Sequence, residues 1–181
     1  MFEGEKIRLR SIELTDVDDI LKNFNNLKLR KFLSTPFPYA KEEEEDWIRN
    51  TWQNRRQGRE YQFAIEEKVS KEFLGTCGLF DIDRIVRSCE LGIAIHAEKN
   101  WSKGYGTDTM NVLLKFGFEY INLNRIQLRV FDFNERGIRT YEKVGFTNVG
   151  KLRQAHFFDG KYIDVIFMDI LYDEWIKKNK E

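Results

Sequence analysis

The sequence predicts an α+β domain: a mixed, mostly antiparallel sheet with helices on both faces, in the order β-α-α-β-β-β-α-β-α-β-β. Three observations lead there. The hydrophobic period switches between two and 3.6 several times along the 181 residues. Short turn signals, and no linker or repeat, separate the segments, so residues 1–181 read as a single domain. An Asp-Gly pair, Asp159-Gly160, marks a closing hairpin.

The elements follow in order. Ile7 and Leu9 alternate with Arg8 and Arg10 as in a half-buried strand, and Thr15 is placed to cap a helix that turns Val17, Ile20, Leu21 and Phe24 to one face. The only prolines, Pro36 and Pro38, make "STPFPY" a loop. "AKEEEEDWIRNTWQNRR" then reads as a second helix, acidic at its start and basic at its end, as the helix dipole favours. Tyr61, Phe63 and Ile65 alternate, and "EFLGTCGLF" and "SCELGIAI" follow around a charged turn at Asp83 and Arg84, which predicts three antiparallel strands. Met110, Leu113, Leu114, Gly117, Phe118 and Ile121 return to helical spacing. "RIQLRVF" is a strand. Asn134 can cap a helix that carries Ile138, Tyr141 and Val144 inward and stops at Gly145, before the two strands of the hairpin.

Composition narrows the function classes. Thirty basic and thirty acidic side chains cancel, which removes the broad field expected of a nucleic-acid or membrane binder. The charged N-terminus has no apolar stretch like that of a signal peptide, so the default location is cytoplasmic. Two cysteines, Cys77 and Cys89, and two histidines, His96 and His156, lack metal-ligand spacing, so no metal site is expected, and neither thiol has an activating neighbour in sequence.

The stretch with most chemistry is "KNWSKGYGTDT", directly before the helix expected from about Thr107. Gly104 and Gly106 permit close backbone approach, the first helical turn presents free N–H groups to an anion, and Lys103 adds charge at the rim. A Walker A loop needs its lysine after the glycines, and a dinucleotide fingerprint needs a third glycine where Thr109 stands. The spacing therefore leaves a phosphate cradle of another kind or a plain turn.

Downstream stands "NERGIRTYEKVGF". Together with "WSKGYGT", "IRLRSIELTD", "PFPYAKEEEEDWI", "ELGIAI" and "FFDGKYIDVIFMDIL", it makes the chain resemble the GNAT superfamily of acetyl-CoA-dependent N-acetyltransferases, close to its RimJ/RimL-type branch, which acetylates protein N-termini. The resemblance departs from the family pattern at Trp101, where Arg or Gln is frequent, and at Gly137, where Ser is frequent; Gly137 is given no cofactor role.

The resemblance implies acetyl-CoA as cosubstrate and direct attack by an amine. Trp101, Ser102, Lys103, Gly104, Tyr105, Gly106 and Thr107 would form the cofactor loop, and Asn134 would cap its helix and touch the cofactor. The backbone of Ile93, Ala94 and Ile95 would hold the pantetheine arm and the thioester. Tyr141 would protonate the departing thiolate. Glu90 would act as base, directly or through water; its alternative is an ion pair with Arg84 or Arg87. Phe32, Phe37 and Tyr39 would wall the acceptor site, with Glu42 to Glu45 as an acidic lip.

The acceptor expected first is a protein N-terminal α-amine, as of a ribosomal protein. At pH 7.5, amines of pKa near 8 and 10.4 differ about two hundredfold in neutral fraction. The alternatives are a polyamine or aminoglycoside acceptor, or a sensor that binds acyl-CoA without catalysis. Nucleic acid and membrane are not expected as partners, and a homodimer is allowed.

Overall fold

Alternation in the first three strands sets the two faces of the sheet. In a computed structural model, which describes residues 2–33, 35 and 37–180, β1 (Ile7–Arg10), β2 (Tyr61–Glu67) and β3 (Phe73–Asp83) pair antiparallel in sequence order. Phe63 and Ile65 of β2 enter the main core, whereas Ala64 between them packs on the opposite face against Ile12, Val17, Ile20 and Ile48. A strand with both faces covered needs apolar residues at successive positions, and β2 has them.

The second face is covered by α1 (Val17–Phe24) and α3 (Lys41–Gln57), joined through the single turn α2 (Leu27–Arg30). Thr15 does not cap α1. It lies inside a 3-10 turn, Leu14–Asp16, in which the Asp16 carboxylate accepts the Glu13 N–H at 2.9 Å. Helix α3 ends at Gly58, whose φ of 65° suits a residue without Cβ. Of the proline loop, Ser34 and Pro36 lie outside the described residues.

The main core lies under α4 (Tyr105–Lys115), which continues as a π-helical turn through Tyr120, and under α5 (Glu135–Val144). Met110, Leu113 and Leu114 are fully buried there, as their spacing predicts. Strand β4 (Ser88–Ile95) pairs antiparallel with β3, and β5 (Arg125–Phe131) pairs antiparallel with β7 (Lys161–Leu171). Strand β6 (Thr147–Phe158) closes the edge, giving the order β1-β2-β3-β4-β5-β7-β6. Asp159 and Gly160, at φ 48° and 75°, form the expected hairpin turn.

The expected order lacks two helices, α2 and a C-terminal α6 (Tyr172–Lys180). Helix α6 carries Trp175 into the core, and Glu174 accepts the Leu171 N–H at 2.9 Å. An acidic first turn followed by lysines was its one sequence signal; a single buried aromatic gives no period to detect.

Candidate active site

The site begins where two strands part. Strands β4 and β5 are the parallel pair of the sheet, and they stay paired only from Ser88–Arg125 to Glu90–Gln127. Beyond that point β4 continues to Ile95 along β3, while β5 continues along β7. The fork opens a cleft of about 890 Å³, large enough for a cofactor arm and an acceptor.

The fork leaves one edge of β4 unpaired. The Ala94 carbonyl points at Gly75 of β3, and the His96 N–H donates to Leu74 of β3 at 2.9 Å. Backbone groups alternate along a strand, so those of Ile93 and Ile95 point the other way, into the cleft. The Ile95 carbonyl is already taken, by the Trp101 indole N–H at 2.7 Å. Of the three residues read from sequence, Ile93 therefore has its backbone free toward the cleft, and Ala94 is turned away.

The glycine loop closes one end. Gly104 is the N-cap of α4 at φ 87°, a conformation that strains any L residue. A Cβ on Gly106 would meet nothing nearer than Thr140 Cγ2 at 3.9 Å, so protein packing does not demand a glycine there. Open space over the free N–H groups of a helix start fits a phosphate group. Ser102, Gly106 and Thr107 line the cleft, but Lys103 and Tyr105 do not. The Tyr105 ring packs on the core, and the cation beside the loop is Lys6, whose Nζ donates to the Lys103 carbonyl at 2.9 Å. Lys6 sits a hundred residues upstream in β1's approach, so spacing alone could not find it.

Helix α5 supplies the opposite wall. Asn134 caps it, accepting the Gly137 N–H at 3.1 Å while lining the cleft. A Cβ on Gly137 would come within 2.6 Å of the Asn134 amide, so the glycine gives the cap its room. Tyr141 faces the cleft two turns along. Burial raises its phenol to about 12, against a smaller opposing pull from the Arg136 charge. The hydroxyl therefore keeps its proton at neutral pH.

Glu90 stands at the fork itself. Its partner is neither Arg84 nor Arg87 but Arg129 of β5, whose Nε lies 2.7 Å from Oε1. The parallel register explains this: Glu90 is opposite Gln127, which puts Arg129 two residues on and on the same face. Among the described residues, Glu90 is the one carboxylate that lines the cleft.

The lining of the cleft differs from the wall expected for an acceptor. Phe32 lines the cleft, but Phe37 and Tyr39 do not. Tyr39 packs against Phe24 and shares a 2.6 Å hydrogen bond with Thr35, and the buried Arg30 guanidinium bonds the carbonyls of Thr35 and Phe37. Beside Phe32 and Trp101, which the sequence singles out, the cleft is lined by the rings of Phe131 and His156, which it does not, and Phe133 links them from behind. Phe32 meets Trp101 and Phe133, Phe133 stacks on Phe131, and Phe131 stacks on His156 with centroids 4.4 Å apart. These rings come from four separate elements, so no periodicity joins them.

The acidic lip is a helix start. Glu43 accepts the Ala40 N–H, Glu45 and Asp46 bind Arg49, and Glu44 is buried. His96 is also buried, and desolvation lowers its pKa to about 3, so it stays neutral and away from proton transfer. Cys77 and Cys89 are buried free thiols whose pKa burial pushes up, which argues against a thiol nucleophile. Among the described residues, no group of His, Cys, Asp and Glu could hold a metal ion, and no helix is long and apolar enough to cross a membrane.

A forked sheet, a glycine loop at a helix start and a tyrosine facing both make up one arrangement, and the family model described as the acetyltransferase (GNAT) domain matches residues 6–147. The chain belongs to this family. Like other members, it is an N-acetyltransferase that takes acetyl-CoA as cosubstrate. Spermidine N(1)-acetyltransferase of Vibrio cholerae is 29% identical over 178 residues, 98% of this chain and 99% of the relative. The solved structure of a Vibrio cholerae spermidine N-acetyltransferase in complex with CoA and spermine has a TM-score of 0.85 at 29% identity, covering 96% of this chain and 99% of that one. The putative ribosomal N-acetyltransferase YdaF of Bacillus subtilis is 30% identical over 101 residues, 56% of this chain and 55% of the relative.

Proposed function

We propose that the acceptor is a primary amine of a small aliphatic polyamine. The observation that carries this reading is Glu90, a carboxylate at the fork of a cleft whose other charged lining groups, such as Arg129, Arg139 and Lys143, are cationic. A polyamine amine arrives protonated and must lose its proton before it attacks, and Glu90 is the lining carboxylate that can take it. A relative matched along nearly its full length is a spermidine acetyltransferase, whereas the ribosomal-type relative is matched over about half of its length. This contrast supports the polyamine better than the protein N-terminus that the sequence suggests first.

Bound acetyl-CoA supplies an activated thioester. The chain does the rest. The N-terminal turn of α4 and the open space at Gly106 receive the phosphates, and the free backbone edge at Ile93 aligns the arm along β4. Arg129 holds Glu90 by Oε1, which leaves Oε2 to take the amine's proton directly or through a water. Tyr141 Oη donates a proton to the leaving sulfur, whose thiol pKa lies near 8.5. The two proton carriers stand on different walls, so gain and loss of protons do not compete for one group.

The test is coenzyme A release with spermidine, spermine and peptides bearing free N-termini, with mass spectrometry of the products. Polyamines are expected to exceed the peptides at least tenfold in kcat/KM, and Glu90→Gln to lower turnover on polyamines. Preferential acetylation of peptide α-amines would reject the polyamine and restore the N-terminal acceptor; acetyl-CoA binding without transfer to any amine in the panel would favour a sensor.

A further inference from the structure

Arg136, in the first turn of α5, sits against two aromatic rings. Its guanidinium carbon lies 3.8 Å from the centroid of Trp101 and 5.4 Å from that of Phe32. Trp101 opens the glycine loop, and its bond to the Ile95 carbonyl fixes the plane of its ring. Phe32 belongs to the segment after α2 and meets Trp101 edge-on at 5.8 Å. One cation thus joins the cofactor loop, the acceptor wall and α5.

That cation has no counter-charge of its own. Arg136 is half-buried, lines the cleft and, among the described residues, forms no ion pair. Glu98 is the carboxylate whose field reaches it, but Glu98 is bridged to Lys28 at 2.6 Å. Glu135, beside it in sequence, is held by Arg139 at 3.1 Å. A partly desolvated charge is costly unless something compensates it, and stacking on aromatic faces does so only in part. The remaining guanidinium N–H groups are free for an anion, and a planar fork matches phosphate oxygens.

We propose that Arg136 is a cofactor-anchoring residue: stacked on Trp101 beside the glycine loop, its guanidinium takes the diphosphate of acetyl-CoA, and the same stack holds Phe32 against the acceptor. The proposal rests on the cofactor site described above. It makes cofactor binding and the acceptor wall parts of one assembly, so the loss of Arg136 weakens both, whereas the loss of Phe32 weakens the acceptor alone.

Calorimetric titration of the full chain with CoA, 3′-dephospho-CoA and pantetheine tests it. Arg136→Gln is expected to weaken CoA and 3′-dephospho-CoA alike, by about ten- to a hundredfold for a lost charged hydrogen-bond donor, with pantetheine unchanged. Arg136→Lys keeps the charge but not the planar stack and should fall between; it also stands in if the Gln variant does not fold. Steady-state kinetics should show the acceptor KM raised in Arg136→Gln and in Phe32→Ala, with the CoA affinity of Phe32→Ala unchanged. Wild-type CoA affinity in Arg136→Gln would overturn the proposal. So would a loss confined to CoA, which would assign the cation to the 3′-phosphate, or an equal loss for pantetheine, which would make the residue merely structural. Gly104→Val is the control. If it weakens CoA binding and Arg136→Gln does not, the loop is the cofactor site and only the Arg136 proposal fails; if neither does, the cofactor binds elsewhere.

Discussion

Replacing Glu44 by glutamine should make the protein more stable at pH 8 and leave it nearly unchanged at pH 5. Glu44 lies in the first turn of α3, 3% exposed, and its Oε1 has no hydrogen-bond partner. The cations nearest on the helix are committed: Lys41 to Asp18, and Arg49 to Glu45 and Asp46. Burial therefore raises the carboxyl from 4.5 to about 7. The folded state holds the proton more tightly than the unfolded chain does. Stability is then full below about pH 4.5, falls as the pH rises toward 7, and levels off above it. The difference between those two values, at about 1.4 kcal/mol per pH unit, sets a ceiling of about 3.5 kcal/mol. An unpaired buried amide takes back about 1 kcal/mol, and the positive end of the α3 dipole, which favours the charge, trims the gain further. A net of about 1–2 kcal/mol at pH 8 corresponds to about 2–8 °C in Tm for a chain of this size. Urea and thermal unfolding of both proteins at pH 5 and pH 8 measure it. Parallel stability curves across that range would refute the reasoning, because they would mean that Glu44 binds its proton equally in both states.

Three further outcomes are expected. Tyr141→Phe should leave CoA affinity intact in calorimetry and slow turnover by roughly 10²–10⁴-fold; because the phenol is raised to about 12, no loss of activity from Tyr141 ionisation is expected up to about pH 10 in a pH–rate profile. Gly104→Val forces a branched side chain to φ 87°, so unfolding should show a loss of about 1–3 kcal/mol along with weakened CoA binding. Asn134→Ala removes the α5 cap and should cost about 1 kcal/mol in chemical denaturation; an unchanged midpoint would mean that solvent caps the helix equally well.

Much of the fold is legible from local pattern. Met110, Leu113 and Leu114 repeat at helical spacing, Phe63 and Ile65 at strand spacing, and Asp159-Gly160 fits only a tight turn, because each of these features is dictated by neighbours in the chain. Helix α6 shows where such reading stops: with Trp175 as its buried anchor, packing and not periodicity creates it. Family motifs extended the reading to Tyr141, Asn134 and the loop glycines, all of which the structure brings to one cleft.

What the sequence determined by itself is every strand and the helices α1, α3, α4 and α5, the family, and the positions of the glycine loop and the tyrosine helix, since these are carried by contiguous residues. Only the tertiary structure decided that Glu90 pairs with Arg129, that the cation at Gly104 is Lys6, and that Phe32 with its neighbouring rings, not Phe37 or Tyr39, walls the cleft. Those partners lie far apart in the chain. Glu90 meets Arg129 because β4 pairs with β5 in the register that sets Glu90 opposite Gln127, and strand register across a sheet is fixed by the packing of the whole domain, which no short stretch of residues encodes.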